Sequence, residues 1–99
     1  MPQVTRTAQA ETDIEEILLR LSRRSTRAMN RASDDIDATC RRLANFPRLG
    51  KPRNELAPGL LSYPTKEGYT IYYVPTGDGI EVQRVLHGSR RVDPSMFDV

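Results

Sequence analysis

The chain has 99 residues, with 15 basic and 13 acidic side chains, one cysteine and one histidine. A chain of this length is expected to form one domain, so residues 1–99 are predicted to fold as a single unit. One cysteine excludes an internal disulfide framework, and one histidine with one cysteine is too few for a dedicated zinc site. We therefore expect no metal and no cofactor. The apolar runs are far shorter than the ~20 residues that span a bilayer, and we expect a soluble cytoplasmic protein with no membrane partner.

The first predicted elements are a short strand and a helix. Gln3–Arg6 is polar and β-branched, which favours a strand, and Thr7 can cap a helix because its hydroxyl accepts from the exposed amides of the first turn. Apolar residues then recur at helical spacing and predict the first helix: Ala10, Ile14, Ile17, Leu18 and Leu21.

A second helix is predicted after a short break at residues 22–26, with Ser25 as its cap. Its apolar stripe runs through Ala28, Met29, Ala32, Ile36, Thr39, Cys40, Leu43 and Phe46. Pro47 ends this helix, because the residue before a proline is pushed out of the helical region. The break is short, so we expect an antiparallel helical hairpin, with Cys40 as a small core residue.

Strands dominate the second half of the sequence. Residues 48–59 are predicted as a loop, and residues 60–63, 69–74 and 80–86 as strands, with a glycine-bearing hairpin turn at 76–79. In the last strand, Ile80, Val82, Arg84 and Leu86 are predicted to share one face. The order β-α-α-β-β-β predicts an α+β fold in which a helical hairpin packs on a small antiparallel sheet.

Two basic clusters are candidate functional sites. Thirteen of the 15 basic residues are arginines, which suit bidentate contacts with carboxylate or phosphate. The first cluster lies around the predicted hairpin tip and comprises Arg20, Arg23, Arg24, Arg27 and Arg31. It is either a solvated tip or a docking site for an acidic protein segment or nucleic acid.

The second cluster surrounds the only histidine, at the end of the last strand, and comprises Arg84, His87, Arg90 and Arg91. His87 is either a general acid or base or a half-buried histidine bonded to the backbone, and we favour the second reading. Gly88 lets the chain leave the sheet, so Arg90 and Arg91 are interpreted as residues that contact a partner. The four tyrosines are predicted mainly as core, with a face of Tyr63 or Tyr72 exposed.

The order and spacing of several segments resemble the RelE/ParE toxin superfamily of bacterial type II toxin-antitoxin systems. The segments are residues 7–14, 43–53, 55–60, 69–73 and, most tellingly, RVLHGSRR at 84–91, which looks like the ending of the ParE branch. The resemblance implies a β-α-α-β-β-β fold and a cognate ParD-like antitoxin. ParE-like members inhibit DNA gyrase and RelE-like members cut ribosome-bound mRNA, often with a tail tyrosine or histidine. Here Met96 and Phe97 stand where that tyrosine would fall.

We therefore expect a bacterial toxin that inhibits growth by binding gyrase without catalysis. Its target-binding residues would be Arg84, His87, Arg90 and Arg91. An acidic amphipathic segment of the antitoxin would contact Ile14, Ile17, Leu18, Arg23, Arg24 and Arg27. The alternatives are a ribosome-dependent endoribonuclease using His87, Arg84 and Arg90, and an inactive member that only binds its antitoxin.

Overall fold

The computed structural model describes residues 2–97 and has the predicted α+β architecture. The elements follow in the order β1 (Gln3–Arg6), α1 (Ala8–Ser22), α2 (Thr26–Asn45), β2 (Lys51–Pro52), β3 (Leu61–Pro64), β4 (Tyr69–Pro75) and β5 (Gly79–His87), and a 3-10 turn at Pro94–Met96. The two-residue strand β2 lies in the segment predicted as a loop. Within residues 2–97, neither helix combines the length and apolarity needed to cross a membrane.

Both helices begin at the predicted caps. The Thr7 Oγ1 accepts a hydrogen bond from the Ala10 amide at 3.1 Å, and the Ser25 Oγ accepts one from the Ala28 amide at the same distance. Each hydroxyl satisfies an amide that has no partner within the helix. The helices are therefore separated by only three residues, and they fold back onto each other as a hairpin.

The five strands form a mixed sheet in the order β1-β5-β4-β3-β2. The strands from β2 to β5 are antiparallel to their neighbours, whereas β1 runs parallel to β5. The prediction of an antiparallel sheet is therefore wrong for β1. Two parallel strands need a long connection between them. Here the connection from β1 to β5 contains the helical hairpin and the strands β2 to β4.

A β-bulge in β5 changes which residues face the helices. Tyr72 pairs with Arg84 and Tyr73 pairs with Val82, so Gln83 is an extra residue in the ladder. The side-chain alternation predicted for this strand is consequently broken. Val82 and Val85 both join the cluster beneath the helices.

Apolar side chains cover both faces of the sheet. The core between helices and sheet includes Ala10, Ile14, Ile17, Ala32, Ile36, Cys40, Leu43, Tyr69, Ile71, Tyr73, Ile80, Val82 and Val85. On the opposite face, the loop before β3 and the C-terminal segment pack against the sheet through Leu56, Ala57, Leu60, Tyr72, Leu86 and Phe97. Tyr69, Tyr72 and Tyr73 are buried, as predicted, and Tyr63 is partly buried. The C-terminal segment is thus part of the fold.

Candidate functional site

A bidentate ion pair joins α1 to β5 beside the predicted target-binding tail. The Arg84 Nε and Nη2 donate to the two Asp13 carboxylate oxygens at 2.8 and 3.0 Å. The same carboxylate accepts the Val85 amide at 3.0 Å. The side chains of Arg84 and Asp13 are only 12% and 6% exposed, so the pair is largely withdrawn from solvent.

This geometry changes the role predicted for Arg84. Its hydrogen bond with Asp13, opposed by burial, raises the pKa of the guanidinium above its ordinary value. Its Nη1 also donates to the Met96 carbonyl oxygen at 3.3 Å. Arg84 is occupied by contacts within the chain, and the prediction that it grips a target or takes part in RNA cleavage is not supported by this arrangement.

His87 stands at the exposed end of β5. Its Nδ1 accepts the Ser89 amide at 3.2 Å and lies 2.8 Å from the Ser89 hydroxyl, and the ring makes an edge contact with Tyr69 at 5.9 Å between centroids. The backbone contact agrees with the favoured reading of this residue, but the side chain is exposed rather than half-buried. Among residues 2–97, no carboxylate is hydrogen-bonded to the imidazole.

Arg90 joins His87 at a small hollow between α1 and the end of β5. The hollow has a volume of about 180 Å³ and is lined by Asp13, Glu16, Ile17, Arg20, Tyr69, Val85, Leu86, His87 and Arg90. The structure thus brings Arg20, which the sequence placed with the hairpin tip, next to the tail. Arg91 is exposed and does not line this hollow.

A second hollow of about 390 Å³ lies at the hairpin tip and shares Tyr69 with the first. Its lining consists of Leu21, Arg24, Ser25, Ala28, Arg31, Ala32, Glu67 and Tyr69. Arg31 is paired with Glu67 at 3.4 Å. Arg20, Arg23, Arg24 and Arg27 are exposed and make no ion pair within the described part of the chain.

The apolar residues predicted to bind the antitoxin are largely internal. Ile14 is 8% exposed and Ile17 is 5% exposed, because their side chains pack against the sheet. Leu18 is partly buried against the same core. Ile14 and Ile17 therefore offer little side-chain surface to an antitoxin, and the large apolar side chain that α1 exposes is Leu19, at 56%.

Asp13 is the important residue that sequence reasoning missed. It lies between Ala10 and Ile17 at helical spacing, so it belongs to the apolar stripe that faces the sheet. A carboxylate on a buried face of a helix requires a hydrogen-bonding or charged partner. The position of Asp13 in the apolar stripe therefore indicates a buried polar contact. The sequence did not identify the partner, because Arg84 lies 71 positions away.

Comparisons with known proteins agree with this architecture. Residues 4–92 match the model of the family described as the ParE toxin of type II toxin-antitoxin systems. A 53-residue segment is 36% identical to Toxin ParE3 of Caulobacter vibrioides, covering 54% of this chain and 52% of that protein. The chain thus spans about half the length of the curated relative it matches.

A solved structure shares the fold. The structure described as the chromosomal ParDE toxin-antitoxin system from P. aeruginosa superimposes with a TM-score of 0.71 at 18% identity, over 88% of this chain and 96% of that one. At this identity the likeness concerns the fold alone. Since the family model spans most of the sequence, the chain belongs to the ParE toxin family of type II toxin-antitoxin systems.

Proposed function

We propose that this ParE-family toxin inhibits DNA gyrase by binding it and that a ParD-like antitoxin neutralises it. Family membership supports a toxin paired with an antitoxin. The main structural support for a binding role is the segment that leaves β5, where Arg90 and Arg91 are exposed and unpaired within residues 2–97. Exposed guanidiniums on a short tail can contact carboxylates or phosphates without any chemical step.

The surroundings of His87 favour binding over catalysis. A general base works best when a second group fixes its tautomer and orientation. Within residues 2–97 no carboxylate orients the imidazole, the Ser89 amide occupies the lone pair of Nδ1, and Arg84 is held by Asp13. This arrangement supports binding rather than RNA cleavage.

A supercoiling assay tests the proposal. Purified toxin is titrated into gyrase with relaxed plasmid and ATP, and we expect supercoiling to be lost as toxin is added. Arg90→Gln/Arg91→Gln should need more than about tenfold higher toxin concentration, since each lost charge-assisted contact is worth about 1.5–3 kcal/mol. Normal supercoiling at saturating toxin would refute gyrase as the target.

The ribonuclease alternative is tested on the same preparation. It draws on one observation, namely that His87, Arg90, Arg20 and Glu16 line a common hollow. Primer extension on translated message detects site-specific cuts. Cuts that disappear in His87→Ala would favour the ribonuclease, whereas intact message together with blocked supercoiling supports the gyrase proposal. A chain that is harmless when expressed without antitoxin would instead be an inactive member.

The antitoxin is proposed to contact the hairpin tip through acidic side chains. Arg23, Arg24 and Arg27 are exposed there, and Arg24 lines the hollow whose apolar wall includes Leu21 and Ala28. An acidic amphipathic segment could place an apolar side chain in that hollow and carboxylates on the arginines. Charge reversal of the three arginines should weaken antitoxin binding and its salt dependence. Arg41→Glu/Arg42→Glu/Arg48→Glu is the control, because it makes the same change in charge at exposed arginines outside the tip, and equal effects of the two triple changes would contradict the assignment.

A further inference from the structure

Two arginine-lined hollows share Tyr69 and join parts of the chain that are distant in sequence. Arg20 and Arg90 line one hollow, and Arg24 and Arg31 line the other. These four arginines come from α1, the break between helices, α2 and the tail after β5. We call the two hollows and their four arginines the Tyr69 surface.

The charge on the Tyr69 surface is positive after its internal pairs are removed. Its acids are Asp13, Glu16 and Glu67. Asp13 is neutralised by Arg84 and Glu67 by Arg31. Within residues 2–97, the charged lining residues without an ion pair are therefore Arg20, Arg24, Arg90 and one carboxylate, Glu16. The exposed Arg23, Arg27 and Arg91 are close to these arginines in sequence. The surface favours an anionic partner.

Within residues 2–97, the Tyr69 surface has exposed arginines but no large exposed apolar side chain. Hot spots at protein interfaces combine arginine with large aromatic side chains that pack at the centre of the interface. Tyr69 is only 8% exposed. The large exposed apolar residues in the part of the chain that the structure describes are Leu19, Phe46 and Leu49, and none of them lines either hollow. Binding here would be dominated by charge, as it is for phosphate contacts with nucleic acids.

We propose that the Tyr69 surface binds the phosphate backbone of duplex DNA, through Arg20, Arg24 and Arg90. This inference rests on the proposed function, because gyrase holds DNA, and it identifies that DNA as a direct partner of the toxin. The contact is independent of base sequence, since it is made to phosphates. Arg24 also belongs to the tip proposed for the antitoxin, so the antitoxin and DNA compete for this surface.

Salt-dependent DNA binding provides the test. A fluorescently labelled duplex of mixed sequence is titrated with the purified chain, and the association constant is measured by anisotropy at several salt concentrations. Three phosphate contacts predict a slope of about −2.7 for log K against log salt, or a ~40-fold loss of affinity between about 50 and 200 mM salt. Arg20→Gln/Arg90→Gln should reduce the magnitude of the slope by about 1.8.

A matched variant controls for net charge. Arg41→Gln/Arg48→Gln removes the same charge from exposed arginines that line neither hollow, and it should retain most of the slope. Absence of duplex binding at about 50 mM salt, or equal losses in both double variants, would overturn the proposal. Binding of a labelled polyglutamate peptide but not of DNA would identify an acidic protein as the ligand and would also overturn it.

Supercoiling inhibition measured in parallel separates the two proposals. We expect Arg20→Gln/Arg90→Gln to lose inhibition together with DNA binding, and circular dichroism checks that the variant is folded. Full inhibition without DNA binding would reject the DNA contact and leave gyrase inhibition in place. Wild-type toxin that binds DNA but leaves supercoiling unchanged would reject gyrase inhibition while the DNA contact stands.

Discussion

Replacement of Asp13 by alanine should strongly destabilise the protein. The change removes two hydrogen bonds from Arg84 and one from the Val85 amide, and it leaves a guanidinium whose side chain is 12% exposed without its counter-charge. Removing one partner of a buried ion pair typically costs about 3–5 kcal/mol. A domain of this size has a total stability of about 5–15 kcal/mol, so the loss is a large fraction of it.

Urea unfolding followed by far-ultraviolet circular dichroism measures this loss. Asp37→Ala is the matched control, because Asp37 also pairs with an arginine at 3.0 Å, but the Arg6 and Asp37 side chains are 26% and 47% exposed. A pair this exposed contributes only ~0–1 kcal/mol. Asp13→Ala/Arg84→Met should lose less than the sum of the two single changes, since it leaves no unpaired charge. Equal losses for Asp13→Ala and Asp37→Ala would refute the reasoning.

Three further changes test other contacts. Tyr73→Phe removes a buried hydroxyl that accepts the Gly50 amide at 2.9 Å and donates to the Pro47 carbonyl at 2.8 Å; it should cost about 1–3 kcal/mol in urea unfolding, and an unchanged midpoint would contradict this. Gly79→Ala should cost about 1–3 kcal/mol in thermal unfolding, because a Cβ at this position would clash with the Gln3 carbonyl oxygen; wild-type stability would mean that β1 can move away. Burial raises the pKa of the Cys40 thiol from 9.0 to about 11, so the neutral thiol stabilises the folded state fully below pH 9, and this stabilisation is lost as the pH rises towards 11. The free energy of unfolding of Cys40→Ala should therefore fall less between pH 9 and 11 than that of the wild type, and identical falls would contradict the prediction.

Local features of the fold were accessible from the sequence. The caps Thr7 and Ser25, the two helices and the order of the longer strands follow from side-chain periodicity and capping chemistry, which act over a few residues. The parallel pairing of β1 was not accessible, because it depends on which edge of the sheet a strand joins after a long connection. The two-residue strand β2 is equally dependent on its partner, since it exists only through pairing with β3.

The sequence predicts which arginines belong to the candidate site, but it does not predict how they are arranged in space. The sequence identified the tail arginines and the hairpin-tip arginines as two separate clusters. It did not reveal that Arg20 and Arg90 line one hollow, or that Arg84 is held by Asp13. Helical periodicity also shows only that Ile14 and Ile17 lie on an apolar face, and the packing of α1 on the sheet decides that this face is internal.

The position of Arg84 has a consequence for how the molecule unfolds. Its guanidinium contacts α1 through Asp13 and the C-terminal segment through the Met96 carbonyl. The helix on one face of the sheet and the segment on the other face therefore both contact the same side chain. Detachment of the C-terminal segment would bring water to the ion pair that holds α1 on β5. The two apolar clusters are therefore expected to open together, and amide hydrogen exchange should report one cooperative unit spanning both faces.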